Sequence, residues 1–385
     1  MTDDVVSLPA MKPANPFLVA GYQGPEYFCD REKETEELVS ALENDRNVTL
    51  IAPRRMGKSG LVKNVFHRLE SGKKARCAYV DVFGTQNLAE FVKAFASGVF
   101  SAFETSIGKA ARTASSFLRG FRPVLTVDAF GSRSFSFDVS PSSAEATLSG
   151  VFDYLESRKF RTVVAFDEFQ QVANYPEKGA EALLRSRIQF LTGHQFVFSG
   201  SRKHMMAEMF LSSRRPFYHS TQIANLGPID RGRYFAFARD HFARAGVSLA
   251  EDAFVSAYDR FDGITWYVQA LMNRLYEARK TSLVREDVDL AVESLVAAGA
   301  YGFEAIVNGC PDGAIRLLKA IASEGCVREP TAGAFLAKHG LKAASSVSAA
   351  LKTLKAADLV EETDAGWVVY DRLFGIWLRS IANPN

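Results

Sequence analysis

No two cysteines of this sequence stand close together. Cys29, Cys77, Cys310 and Cys326 form no C-x-x-C pair, which argues against a zinc site. Scattered thiols fit a reducing cytosol, and Cys77, inside an apolar stretch, reads as a small core residue. The start, Met1-Thr-Asp-Asp, is acidic and lacks a signal-peptide pattern. No run of about 18 apolar residues appears, which speaks against a transmembrane helix and a membrane partner. Neither an internal repeat nor a low-complexity tract is present. An excess of one charge is missing too: 46 basic against 44 acidic residues leave a net +2. That balance argues neither for nor against nucleic acid, so only a local basic patch could carry such a claim. What remains is ample material for a core. The 385 residues are 47% hydrophobic, and at about 100–200 residues per domain they suggest two or three domains.

The most informative stretch is Asn47-Val-Thr-Leu-Ile-Ala-Pro-Arg-Arg-Met-Gly-Lys-Ser-Gly-Leu61. From Ala52 to Ser59 it has the spacing G-x-x-x-x-G-K-[ST], with Ala52 at the first glycine position. Backbone N–H groups of such a loop and the start of the next helix cradle anionic phosphates. Lys58 would reach the β- and γ-phosphates, Ser59 would complete a Mg²⁺ shell, and Gly57 would let the backbone approach without a Cβ. Pro53, Arg54, Arg55, Met56 and Gly60 are the loop's other candidate nucleotide neighbours. Arg54 and Arg55 have two readings, phosphate contact or solvent, and their position does not decide between them. The flanks fit: Val48, Leu50 and Ile51 read as a strand, and Leu61, Val62, Val65, Phe66 and Leu69 recur at helical spacing.

Residues 1–26, with Pro9, Pro13, Pro16, Gly21, Gly24 and Pro25, read as an extended lead-in. An amphipathic helix is expected over 31–45, with Asp30 as its N-cap, then the strand at 47–52 and a helix at 57–71. A second strand follows at 75–83 and a helix from Leu88 to about Lys109. Alternation over 121–139, with Gly131-Ser132 between the halves, reads as an inserted β-hairpin. A helix to about Arg158, a strand at 161–166, a helix at 180–191 and a strand at 195–199 complete the pattern. Strands alternating with helices predict an α/β fold, a parallel sheet with helices on both faces. From 230 to 300 the pattern is all-helical. The rest contains two short helices, a longer helix, a β-wing and a final apolar helix.

A second nucleotide signal is Val163-Val-Ala-Phe-Asp-Glu168, four apolar residues ending in two acids, as in a Walker B strand. Such a strand delivers Asp167 to the sheet's carboxyl edge to bind Mg²⁺, and Glu168 would orient or deprotonate the attacking water. In Phe196-Val-Phe-Ser-Gly-Ser201, either Ser199 or Ser201 would sense the γ-phosphate by hydrogen bonding, although a plain strand-end turn explains the residues as well. Arg214 and Arg215, after Ser212-Ser213, are candidates for an arginine that stabilises transition-state charge, in cis or from a partner subunit.

Tyr27-Phe-Cys-Asp-Arg-Glu32, Ala52–Ser59, Phe166-Asp-Glu-Phe-Gln170 and Phe198-Ser-Gly-Ser-Arg202, in this order, resemble the archaeal-type ATPases, P-loop proteins of the AAA+/STAND group. Further matches are Phe261-Asp-Gly-Ile-Thr-Trp-Tyr-Val-Gln269 and Val369-Tyr-Asp-Arg-Leu-Phe-Gly-Ile-Trp377. The resemblance implies a P-loop αβα ATPase core at 27–229 carrying the hairpin, a helical lid at 230–300 and a winged helix at 301–385. It implies ATP with Mg²⁺, a place for Phe28 and Arg31 beside the adenine, and an ATP-driven switch acting on a protein partner. The family's lid commonly carries G-x-P on its nucleotide side. Here Gly263-Ile264-Thr265 puts Thr at the Pro position, which leaves that contact open.

In the C-terminal block, helices are expected at 312–323, 331–339 and 343–356, and a wing at 359–369. If the third helix met duplex DNA in the major groove, it would offer Ala343, Ala344, Ser345, Ser346, Ser348, Lys352 and Lys355. Base-reading Arg, Asn and Gln are sparse there, and the wing, Glu361-Glu-Thr-Asp364, is acidic. A protein-facing or packing role fits better. Two functions therefore compete: an ATPase whose hydrolysis resets a switch, and a nucleotide-gated regulator with little turnover whose winged helix meets a protein or DNA.

Overall fold

The computed structural model describes residues 12–118, 121–127 and 133–382. The chain divides into two compact units, one running up to His241 with Asp262–Asn273, the other holding Phe242–Phe261 and the chain from Arg274.

In the first unit an irregular segment and the turn Pro25–Tyr27 lead to α1 (Glu32–Glu43), β1 (Val48–Ile51), α2 (Lys58–Ser71), β2 (Arg76–Asp81), α3 (Leu88–Phe103) and α4 (Ile107–Phe117). An antiparallel hairpin follows, β3 (Phe121–Val127) with β4 (Arg133–Val139). Its expected tip, Gly131-Ser132, lies outside the described residues, as do residues 1–11 of the lead-in. Next come α5 (Ala144–Glu156), β5 (Thr162–Asp167), α6 (Ala180–Ile188), β6 (His194–Gly200), α7 (Lys203–Leu211), β7 (Gln222–Asn225) and α8 (Arg231–Arg244). Among the described residues β2, β5, β6, β1 and β7 form one five-stranded sheet in that order, and every pairing is parallel.

Period-2 alternation sorts the two faces of the sheet. Val163, Ala165 and Val197 turn to the face covered by Leu38 and Leu42 of α1 and Leu61, Val62, Val65 and Leu69 of α2. Val164, Phe166, Phe196 and Phe198 turn to the other face, against Phe91 and Phe95 of α3, Phe152 of α5 and Phe210 of α7. The aromatic face is dense: the Phe169 and Phe198 ring centroids lie 4.6 Å apart, and those of Phe95 and Phe166 5.0 Å. Each such buried ring contributes about 1.5–3 kcal/mol.

The single helix expected from Leu88 to Lys109 is two helices. Glu104 is extended, at φ −103° and ψ 141°, and its carboxylate accepts from the Tyr154 hydroxyl at 2.8 Å. Ser106 then caps α4 through the Lys109 N–H. Asp30 does not cap α1. Asp30 and Arg31 both have positive φ, the helix has no side-chain cap, and the Asp30 carboxylate is turned to the Arg233 guanidinium at 2.8 Å. Helix α7 and strand β7 were not expected.

In the second unit, β8 (Ser248–Leu249) leads into α9 (Glu251–Arg260). After α10 (Thr265–Glu277), whose first half belongs to the first unit, β9 (Ser282–Leu283) pairs with β8 in parallel. Then come α11 (Arg285–Asn308), α12 (Asp312–Glu324), α13 (Gly333–Lys338), α14 (Ala344–Ala356), the antiparallel wing β10 (Val360–Thr363) with β11 (Gly366–Val369), and α15 (Arg372–Ala382). Leu317, Leu318, Ile321, Val347, Leu354, Val360, Phe374 and Leu378 close this core. Val327 and Trp367 exchange two backbone hydrogen bonds, an isolated antiparallel bridge beside the wing. Gly366 sits at φ +141°, where a Cβ would meet the Val327 carbonyl at 2.7 Å.

Against the expectation of no spanning segment, α11 is long and apolar enough to cross a membrane by length and composition. It has 24 residues and an 18-residue window of mean hydropathy 1.5 that is 11% buried. Its first turns pack within this unit through Val288 and Val292, and Glu293 and Glu304 interrupt the apolar run.

Candidate functional site

Strand β1 ends at Ile51, buried on both faces, and the chain then wraps around the start of α2. Two residues of this turn take left-handed backbone, Arg55 at φ +68° and Gly57 at φ +89°. Gly57 makes the second without a Cβ penalty. Lys58, 6% exposed, folds back so that its ammonium donates to the Ala52 carbonyl at 3.0 Å and the Pro53 carbonyl at 2.9 Å. Burial lowers the lysine's pKa from its ordinary value, and the carboxylates of Glu168 and Asp167 oppose that shift. Lys58 is thus a desolvated cation aimed across the mouth of the loop, where an anion would complete its partners.

Parity along the strands brings the acids to the same place. Asp167 follows Val163 and Ala165 on the α2 face, and the Ser59 hydroxyl donates to its Oδ2 at 2.8 Å. Tyr79, on the same face of β2, donates its hydroxyl to the same oxygen. Burial, and then the Asp167 charge, push the Tyr79 hydroxyl far above the usual tyrosine range, so it stays a donor. Glu168 breaks the strand with φ +56°, and its N–H donates to Asp167 Oδ1 at 3.1 Å. A non-glycine residue held in this conformation stores strain, a pattern common at functional sites. The Ser201 hydroxyl donates to Glu168 Oε2 at 2.6 Å, and the Gln170 amide donates to the same oxygen. Of the two serines considered, Ser201 reaches the acid; the Ser199 hydroxyl is buried without a partner.

Glu168 lines one part of a cavity of about 320 Å³ together with Arg54 to Gly60, and Asp167, Gln170 and Ser201 are bonded to these lining residues. Phe28 lies against Gly60, where an added Cβ would sit 3.3 Å from its ring, so the small residue lets the aromatic close over α2. The Thr265 hydroxyl, at the Pro position of the lid pattern, donates to the Met56 carbonyl of the loop at 3.2 Å. Arg55, half-buried in the lining, packs on the start of α10. Its guanidinium lies 4.7 Å from the Trp266 ring centroid and 4.9 Å from that of Tyr267, and it donates to the Tyr267 hydroxyl.

Most of the expected residues are brought together: Phe28, Arg31, Arg54, Arg55, Met56, Gly57, Lys58, Ser59, Gly60 and Glu168 line the cavity, with Asp167 and Ser201 bonded to its lining residues. Pro53 offers its carbonyl to Lys58 and does not line the cavity. Arg31 is committed to structure, with its guanidinium on Glu34 at 2.7 Å and on the Gly227 carbonyl at 2.6 Å. Arg214 is exposed and outside the cavity lining, and Arg215 is held by Glu181 and Glu208. Sequence reasoning missed Tyr79, Gln170, Tyr234, Trp266, Gln269 and the segment Leu18–Tyr22. Tyr79 alone had a readable signal, its same-face spacing with Cys77 on a strand beside the acidic one.

The comparisons agree with this geometry. Residues 28–271 match the family described as "ATPase domain predominantly from Archaea", and residues 301–380 match that described as "probable winged helix domain". No curated protein matches the chain. Among solved structures, a Walker-type ATPase of Pyrococcus abyssi is similar at TM-score 0.65 and 18% identity, over 94% of this chain and 99% of that one. The ORC2 protein of Aeropyrum pernix, solved as ADPNP–ADP complexes, is similar at TM-score 0.56 and 15% identity, over 96% and 98%. The ORC1 protein of the same organism, solved in complex with DNA, gives 0.52 and 15%, over 96% of each chain. At these identities the likeness shows the fold, a P-loop core with a C-terminal winged helix. With its ATPase domain matched over more than half its length, the chain belongs to the family of ATPase domains found predominantly in Archaea.

Proposed function

We propose that this protein binds ATP with Mg²⁺ and hydrolyses it slowly, as a conformational switch. The observation that carries the reading is the convergence of Lys58, Ser59 and Glu168 at one part of one cavity, with Asp167 bonded to Ser59 beside it. Ser59 Oγ and Asp167 Oδ2 are hard oxygen donors 2.8 Å apart. Among the described residues no group of three or more His, Cys, Asp or Glu is placed to hold a metal. That donor set fits Mg²⁺, which takes one or two protein ligands and completes its shell with phosphate and water. Bound there, Mg²⁺ supplies charge neutralisation on the phosphate oxygens. Lys58 exchanges loop carbonyls for β- and γ-phosphate oxygens, and Glu168 orients the attacking water or takes its proton. Phe28 borders the base.

Ser201 and Gln170 both hold Glu168 Oε2, and this favours low turnover in the isolated chain, the regulator form of the switch. Exposed Arg214 is available to a neighbouring copy as the charge-stabilising arginine, so oligomerisation would raise the rate. For output we favour a protein partner over duplex DNA. On the winged helix Lys355 is drawn to Glu362 at 3.4 Å and to the Trp367 ring, and the wing is acidic. The four cysteines are free, which suits a cytoplasmic site of action. The test is Glu168→Gln: ATP binding is kept while phosphate release is lost. Wild-type turnover in this variant contradicts the assignment.

A further inference from the structure

The family match begins at residue 28, yet five residues before it, Leu18 to Tyr22, line the cavity. This segment is tied at both ends. Phe17, fully buried, plugs against Phe237 and His241 at ring distances of 6.3 and 5.8 Å. Asn273 holds the segment by two bonds: the Asn15 amide donates to the Asn273 carbonyl at 3.0 Å, and the Asn273 amide donates to the Phe17 carbonyl at 2.8 Å. At the other end the Tyr22 hydroxyl donates to Asn64 of α2 at 2.9 Å, and its ring meets Phe28 edge-on at 6.0 Å. Between these ties Val19, Ala20 and Gly21 are exposed on their outer side. Gly21 at φ +76° and Gly24 at φ +105° supply the turns.

One residue joins this strap to the phosphate loop. The Trp266 indole N–H donates to the Val19 carbonyl at 3.0 Å. Its backbone N–H donates to the Arg55 carbonyl, also at 3.0 Å, and its ring takes the Arg55 guanidinium. The strap, the phosphate loop and the start of α10 thus share a single latch.

We infer that the strap from Leu18 to Tyr22, latched by Trp266, is part of the nucleotide site and sets the rate at which a nucleoside di- or triphosphate leaves it. This rests on the nucleotide-binding reading above. Trp266 is here a positioning residue: it holds the strap shut through its N–H and the loop in shape through its ring. Opening the strap breaks that hydrogen bond before ligand passes, in either direction.

The test uses the full chain and a fluorescent ADP, with association and dissociation rates measured for wild type, Trp266→Phe, Asn15→Ala and Lys58→Ala. Trp266→Phe keeps an aromatic ring for Arg55 and removes the N–H. Asn15→Ala loosens the strap from outside the cavity and guards against a Trp266 variant that does not fold. Loss of one hydrogen bond predicts dissociation about threefold to tenfold faster in each, with association unchanged or faster. Unchanged dissociation, or slower association, overturns the strap inference, because a damaged pocket loads poorly whereas an unlatched one does not. A wild type that binds no nucleotide, or a Lys58→Ala variant that binds as wild type does, overturns the underlying reading instead.

Discussion

The two sides of the cavity are built from different ranges of the chain. On the phosphate side Lys58 bonds to carbonyls five and six residues away. On the strap side Trp266 reaches Val19 across 247 positions and Asn15 reaches Asn273 across 258. The first is a local turn whose shape follows from residue spacing, and any strand–loop–helix with that spacing forms it. The second exists only once the whole unit has closed on itself. Lys58 and Ser59 stand on this local turn, and Asp167 and Glu168 reach it through the sheet, Asp167 to Ser59 across 108 positions. Control of access is placed on the long-range side, where opening one latch leaves the catalytic geometry in place.

Breaking each side separates these roles. The largest expected effect is on the phosphate side: Glu168→Gln lowers turnover about 10²–10⁴-fold, the range for losing a positioned base, while ATP affinity holds. Equal losses in affinity and turnover would move Glu168 from chemistry to binding. Next comes Gly57→Ala. At φ +89° a Cβ strains the loop although there is room for it, with Thr265 Cγ2 3.8 Å away. Urea unfolding should show about 1–2 kcal/mol of lost stability, and nucleotide affinity should fall with it. An unaffected variant would mean that the loop turns without that conformation. Unlatching the strap through Trp266→Phe is smaller, a rate effect with the phosphate contacts intact.

The smallest effect lies at the opposite edge of the sheet. His194 is buried and bonded to Thr162 at 2.9 Å, and burial lowers its pKa from the ordinary value. The unfolded chain then binds more protons between the depressed folded pKa and about 6.5. Stability from the neutral imidazole is present above about pH 6.5 and is lost as pH falls through the folded pKa. Melting temperature should drop on acidification from pH 7.5 to 5.5, and His194→Gln should flatten that slope. An unchanged slope would place the acid sensitivity elsewhere.

The same local–distant divide explains what could be read in advance. The β1 strand, the loop, α2 and the Walker B strand were legible because each is a short pattern whose period or spacing has one structural meaning. The winged-helix elements were legible for the same reason. Asp30 looked like a cap because Asp precedes a helix, but Arg233, some 200 residues on, takes its carboxylate. Arg31, expected beside the base, does line the cavity, but the bonds of its guanidinium to Glu34 and to the Gly227 carbonyl, far along the chain, had no signal in the sequence. The proline- and glycine-marked lead-in read as extended; its described part is instead irregular, bent at 14–17 and 19–21 and ending in the turn Pro25–Tyr27, and that it lines the cavity depended on Asn273 and Trp266. Helix α7 carries a mixed face and β7 is only half-buried, so neither had a clean period to read.

The measurement that bears most directly on the central claim is phosphate release from ATP with Mg²⁺, for wild type and Lys58→Ala, with and without duplex DNA. The account predicts slow wild-type release that Lys58→Ala abolishes and that DNA leaves unchanged. Release that survives Lys58→Ala would contradict the assigned site, and stimulation by DNA would contradict the preference for a protein partner.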